Sequence, residues 1–260
     1  MTRETVAGFP GGSGVEWARR PACPEFGVLA LGRFGYAWGA MNRSTMMVKP
    51  LLRGWFHAAA AVAAAAVGTV LVVAARPDVA KQASIAVFVA SSVLLFGTSA
   101  LYHIGRWPPR VRAALRRVDH ANIYVVIAGT YTPVIFNLVS GWPRPTVLAG
   151  IWCAAAAGVL TVSPAVRMPD GAVAATYVGM GWMGIATAPA IVQAAGAGGL
   201  LLIIGGGVLY SLGAAAYAWK RPRLWSGVFG YHEVFHLLTI LASALFFTFM
   251  ATEVLGHSRP

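Results

Sequence analysis

Two short stretches of this chain place chemically useful side chains one helical turn apart. Ser99 and His103 are separated by four residues, as are His232 and His236, so each pair projects from one face of a helix. His103, His232 and His236 with the carboxylate of Asp119, and no thiol beside them, match the donor set of a catalytic zinc site. Imidazole nitrogens suit the borderline-soft ion, and tetrahedral coordination leaves a fourth position for water. For any one of these histidines, an interhelical hydrogen bond is the plainer explanation. The coincidence of three, with two i, i+4 pairs, favours a metal.

The same residues admit two other chemistries. His232-Glu233-Val234-Phe235-His236 satisfies H-E-x-x-H, in which the glutamate of a zinc protease is the general base. An intramembrane metalloprotease also needs an aspartate ligand, and Met168-Pro169-Asp170-Gly171 is only superficially its source. Asp170 precedes the histidine pair in a charged loop, and this reading leaves Ser99, His103 and Asp119 idle. A serine-hydrolase triad of Ser99, His103 and Asp119 is weaker still. Gly97-Thr98-Ser99-Ala100 is not a G-x-S-x-G elbow, and a Ser/His pair on one helix constrains attack poorly. Glu233 lies about 100° round the helix from His232 and is expected against a neighbouring helix or the interface. His120, about 100° from Asp119, is read as packing or capping. His57 either approaches the metal's outer shell or is a structural histidine at the interface.

The elements that position these groups must be membrane-spanning helices. The chain has 260 residues, 58% hydrophobic and 11% charged, against about a quarter charged in soluble domains, which excludes a water-soluble globule. Apolar stretches of bilayer length recur seven times, near 54–75, 83–105, 118–140, 146–163, 172–193, 199–219 and 229–252. Proline and glycine mark the breaks, as at Arg76-Pro77-Asp78, Trp107-Pro108-Pro109-Arg110, Gly141-Trp142-Pro143, Met168-Pro169-Asp170-Gly171 and Lys220-Arg221-Pro222. The expectation is an all-α integral membrane protein, a seven-transmembrane-helix bundle. Residues 1–47 form a flexible N-terminal tail, 48–256 the domain and 257–260 a C-terminal tail. The first 20 residues hold no continuous apolar run, so no cleavable signal peptide is expected.

Net charge of +12 would suggest nucleic acid for a soluble domain. Here the cations belong to loops, and no nucleic-acid partner is expected. Twelve Arg and Lys flank one side of the spans, including the stretch Arg106 to Arg117, against four on the other. That asymmetry places the N-terminus in the cytoplasm and the C-terminus outside, in the cell (plasma or inner) membrane. The 106–117 loop is read as a topology anchor rather than a lipid-phosphate patch. Ser99, His103, Asp119, His232 and His236 then share a layer near the cytoplasmic interface, where ionisable groups are costly and mark function. Cys23 and Cys153 are expected to be inert. The Gly-rich stretch 196–207 reads as close helix packing, and Tyr131, Thr132 and Pro133 as a kink whose freed carbonyls hydroxyls satisfy. Glu253 at the outer end of the last helix and His257 in the tail are expected to be hydrated.

Ser99-Ala-Leu-Tyr-His103, Arg117-Val-Asp119-His120 with Ala-Gly-Thr-Tyr-Thr-Pro at 128–133, and His232-Glu-Val-Phe-His236, in this order across seven spans, resemble the haemolysin III branch of the progestin and adipoQ receptor superfamily. The resemblance runs from about Lys49 to Leu255 and includes Lys49-Pro and Arg53-Gly-Trp-Phe-His57. It implies zinc held by His103, His232 and His236, with Ser99 and Asp119 beside the metal or its water. The long N-terminal tail departs from the family pattern. The adiponectin receptor side of the superfamily implies ceramide-like amides as substrates.

The function expected is zinc-dependent hydrolysis of a lipid amide or ester, with membrane lipids as partners. Asp119 would orient or deprotonate the attacking water, and Ser99 would hydrogen-bond the water or the developing oxyanion. The alternative is a non-enzymatic cytolytic, pore-forming or membrane-homeostasis protein whose zinc is a structural clamp. A clamp is closed and fully ligated, whereas a catalyst keeps an open position.

Overall fold

A computed structural model describes residues 54–166, 168–222, 224–225 and 229–258. The expected N-terminal tail, Lys49, Arg53, Arg167 and Arg223 lie outside the described residues, which all belong to the unit beginning at Met47. Seven α-helices follow in order: α1 (Trp55–Ala74), α2 (Val79–Ile104), α3 (Pro109–Leu138), α4 (Pro143–Thr161), α5 (Asp170–Trp182), α6 (Ala188–Trp219) and α7 (Tyr231–Phe249). A 3-10 turn, Met183–Thr187, joins α5 to α6, and a π turn, Met250–Val254, extends α7. Neighbours in sequence are neighbours in space, α7 returns to α1, and α3 runs through the middle against α2, α4, α5 and α6.

Among the described residues, six helical segments are long and apolar enough to cross a membrane. Only His57, Ala64, Gly68 and Leu71 of α1 are buried, although its mean hydropathy is 2.1. A helix apolar all round with most of its surface uncovered fits lipid as its solvent. The longest segment, Gly171–Trp219, holds 49 residues. As a continuous helix it would extend about 73 Å, more than twice the hydrocarbon core. It is interrupted instead by the 3-10 turn and by Gly196, whose φ of 67° and ψ of −177° suit a residue without Cβ. The expected break between Ala194 and Gly199 falls on that glycine. The Tyr131 hydroxyl donates to Gly181 O (2.6 Å) and accepts from Gly184 N (2.8 Å), satisfying backbone groups where α5 gives way to the turn.

The stretch 106–117 departs from the expectation of a loop. Pro109 occupies the first helical position of α3, where its missing N–H costs nothing. Arg110 to Arg117 therefore form the first turns of a helix that starts nine residues before the apolar stretch. Hydropathy marks where a helix enters lipid, and arginine is a good helix former outside it. Asp170 likewise is the first residue of α5 and not part of a loop.

The most extensive of the aliphatic and aromatic clusters among the described residues lies at the end of the bundle away from His103. Ile85 and Phe88 of α2 pack with Phe246 and Phe249 of α7, Met250 and Val254 of the π turn, and Val134 of α3. Lys81 closes that end, its buried Nζ donating to Leu255 O (3.2 Å) and His257 O (2.6 Å). These are carbonyls beyond the last helix that lack intrahelical donors. The opposite end gathers the end of α2 with the starts of α1, α3 and α7, and carries the polar groups.

Candidate metal centre

His103 stands in the last turn of α2, and His232 and His236 in the first two turns of α7. One potential ligand atom from each lies within 4.8 Å of the other two. The Nε2 atoms of His103 and His232 are 3.1 Å apart. The ring centroids are separated by 4.7 Å (His103 and His232), 5.0 Å (His103 and His236) and 4.5 Å (His232 and His236). Tetrahedral zinc with Zn–N bonds of about 2.0–2.1 Å sets its nitrogens roughly 3.3–3.4 Å apart. The donor set fits such an ion with small side-chain adjustment. A hydrogen bond between His103 and His232 explains that pair alone, and gives no reason for His236 to share the point.

Asp119 stands in the third turn of α3. Its Oδ2 is 3.8 Å from His103 Nε2, and the buried Ser99, one turn before His103, lines the same cavity as Asp119. The five residues singled out from the sequence are therefore brought together. Four of them, Ser99, Asp119, His232 and His236, border a cavity of about 120 Å³ lined by α1, α2, α3, α5, α6 and α7, and His103 adjoins it through its contact with His232. Its walls are mostly apolar, with Leu95, Ile127, Val178 and Phe246 among them, and Ser99, Asp119, His232 and His236 gather at one end.

The remaining polar groups sort differently. Glu233 is fully buried, but its Oε2 accepts from Gly230 N at 2.8 Å, which caps the start of α7, and it does not border the cavity. His120 Nδ1 lies 2.8 Å from Arg116 O, one turn back, and its ring meets Tyr217 at 6.4 Å. His120 also borders the cavity, with Nδ1 3.9 Å from Asp119 Oδ2.

His57 is nearer the centre than its position in the sequence indicates. It lies flat against His236, centroids 3.9 Å apart and planes 12° from parallel, with Phe96 at 5.1 Å. The His236 backbone runs alongside, but neither ring nitrogen meets hydrogen-bond geometry with any described residue. Leaving a buried polar atom unpaired costs about 1–3 kcal/mol, a cost that a phenylalanine stacking in the same place would not carry. Sequence reasoning gave no role to Tyr177, whose hydroxyl donates to His120 O at 3.1 Å, or to Tyr217, which packs 5.9 Å from His232. Tyrosines in apolar spans have no diagnostic spacing, so only assembly of the helices exposes them.

Residues 45–247 match the family model described as haemolysin-III related. The chain is 30% identical over 210 residues to a protein named hemolysin-3 from Bacillus cereus, covering 80% of this chain and 93% of the relative. It is 33% identical over 165 residues to a hemolysin-3 homolog of Bacillus subtilis strain 168, covering 63% of this chain and 74% of the relative. Both the match and the apolar helices point the same way, and the chain belongs to the haemolysin-III-related family of multi-pass membrane proteins.

Proposed function

We propose that this protein is a zinc-dependent hydrolase of a lipid amide or ester, with ceramide-like amides as the substrate class. The observation that carries this reading is the convergence of three imidazole ligand atoms within 4.8 Å, with the Asp119 carboxylate beside them, on a cavity with apolar walls. Zinc held by His103, His232 and His236 would supply Lewis acidity, lowering the pKa of a coordinated water to about 7 and polarising a carbonyl. Asp119 is the base that takes the proton from the attacking water. Ser99 orients Asp119 and donates to the oxygen on which charge develops. The apolar walls admit an acyl chain and keep bulk water from the reacting carbonyl.

In this reading the domain crosses the plasma or inner membrane seven times, since 49 apolar residues broken at Gly196 are long enough for two crossings. The N-terminus is cytoplasmic, the C-terminus external, and the metal lies near the inner leaflet. An H-E-x-x-H protease is less well supported, because Glu233 is engaged in capping α7. A second reading draws on the name hemolysin carried by the relatives. In it the metal is a clamp, Asp119 is a fourth ligand, and the protein perturbs or adjusts the membrane without cleaving a bond.

The test is hydrolysis of fluorescent N-acyl sphingoid bases and acyl esters by purified, zinc-loaded protein in micelles. Product release that stops with a zinc chelator and returns with zinc supports the hydrolase. Absence of cleavage of both substrate types, by protein that retains its zinc, would overturn it in favour of the clamp.

A further inference from the structure

His57 has no place in the chemistry described above, although it faces the same cavity. It is 2% exposed and stacked on one candidate ligand, and both of its ring nitrogens are without a hydrogen-bond partner among the described residues. Stacking alone does not account for an imidazole there. A phenyl ring would cover His236 equally well and leave no polar atom unpaired in an apolar setting. A molecule lodged in the cavity beside the ring can supply a partner to one of the two nitrogens.

We propose that His57 is a substrate-binding residue, whose ring hydrogen-bonds the amide of a lipid lodged in the cavity beside the metal centre. A neutral imidazole carries one N–H donor and one acceptor nitrogen. A trans secondary amide turns its carbonyl oxygen and its N–H to opposite edges, so it meets one ring nitrogen at a time, its N–H donating to the acceptor nitrogen or its oxygen accepting from the ring N–H. An ester has no N–H to donate to the acceptor nitrogen, so His57 favours amides over esters through that one hydrogen bond. The ring's position against His236 holds the amide close to the reacting centre, while the acyl chain follows the apolar wall past Leu95 and Ile127. This inference rests on the proposed lipid substrate and adds the group that recognises its amide.

The experiment uses full-length, zinc-loaded protein in detergent micelles. The probe is a urea analogue of a short-chain N-acyl sphingoid base, which keeps the donor and acceptor and resists hydrolysis. His57→Phe preserves the stacked ring and removes both nitrogens, and His57→Gln restores a donor and an acceptor without the ring. The expected result is a His57→Phe protein with zinc content and thermal midpoint no lower than wild type, but with the Kd for the urea raised about tenfold or more, as loss of hydrogen bonds predicts. His57→Gln should recover part of that affinity. An unchanged Kd in His57→Phe would overturn the proposal and leave water as the partner of the nitrogens. A fall in zinc content in His57→Phe would overturn it in favour of a metal-supporting role, and so would a wild type that does not bind the urea. His57-dependent binding by a wild type that cleaves nothing would sink the hydrolase and leave this inference standing. Cleavage with a KM insensitive to His57→Phe would do the reverse.

Discussion

His103 and His232, 129 residues apart in the chain, bring their Nε2 atoms to 3.1 Å across the gap between α2 and α7. That separation suits two ligands of one metal ion, and His236 completes the set.

Metal analysis tests this directly. Wild-type protein is expected to hold about one zinc per chain in the manner of three-ligand sites. His103→Ala should lower zinc affinity by at least about 100-fold, since loss of outer partners alone costs about 10–100-fold. Unaltered zinc content in the variant, measured by inductively coupled plasma spectrometry, would remove His103 from the site.

Asp119→Asn separates catalyst from clamp. If Asp119 is the base, kcat falls about 100- to 10,000-fold while zinc stays bound. Loss of zinc along with activity would instead make Asp119 a fourth ligand.

Glu233 distinguishes capping from chemistry. Gln at the same helix position still accepts from the Gly230 N–H, so Glu233→Gln should leave turnover per bound zinc within about twofold of wild type. Glu233→Ala should cost about 0.5–2 kcal/mol, seen as a lower thermal midpoint. A loss of turnover in Glu233→Gln comparable to that in Asp119→Asn would revive the protease-like role.

Gly206 lies where α6 meets α7. A Cβ built there would stand 2.6 Å from Phe246 Cε2, so Gly206→Val forces the ring or the helices apart. The expected penalty is about 1–3 kcal/mol, read as a drop in thermal midpoint, with zinc content retained because the histidines lie at the other end of α7.

Orientation is open to cysteine labelling in a Cys23→Ala, Cys153→Ala background. Ser258→Cys, at an exposed position past the π turn, should react with an impermeant maleimide on intact cells. Arg110→Cys, at the exposed start of α3, should react only after permeabilisation. The opposite pattern would invert the topology and put the metal near the outer leaflet.

Much of the architecture was legible because a bilayer imposes simple demands on a chain. Apolar length and Pro/Gly punctuation are local properties, and they located α1, α2, α4 and α7 to within a few residues at most ends. The i, i+4 pairs Ser99/His103 and His232/His236 were equally readable, since helical periodicity alone puts each pair on one face. The start of α3 was missed by nine residues, because hydropathy does not register a helix that continues beyond its apolar stretch.

Tertiary structure decided which of these faces meet and what lies behind them. No local signal says that His57 rests on His236 with its nitrogens unpaired, that Glu233 is held by the Gly230 amide, or that Tyr131 bridges the break after α5. Those outcomes depend on the rotation of each helix about its axis and on its depth beside its neighbours. Close packing across the whole bundle sets both, and in an apolar solvent the helix surfaces themselves differ too little for sequence to choose among them.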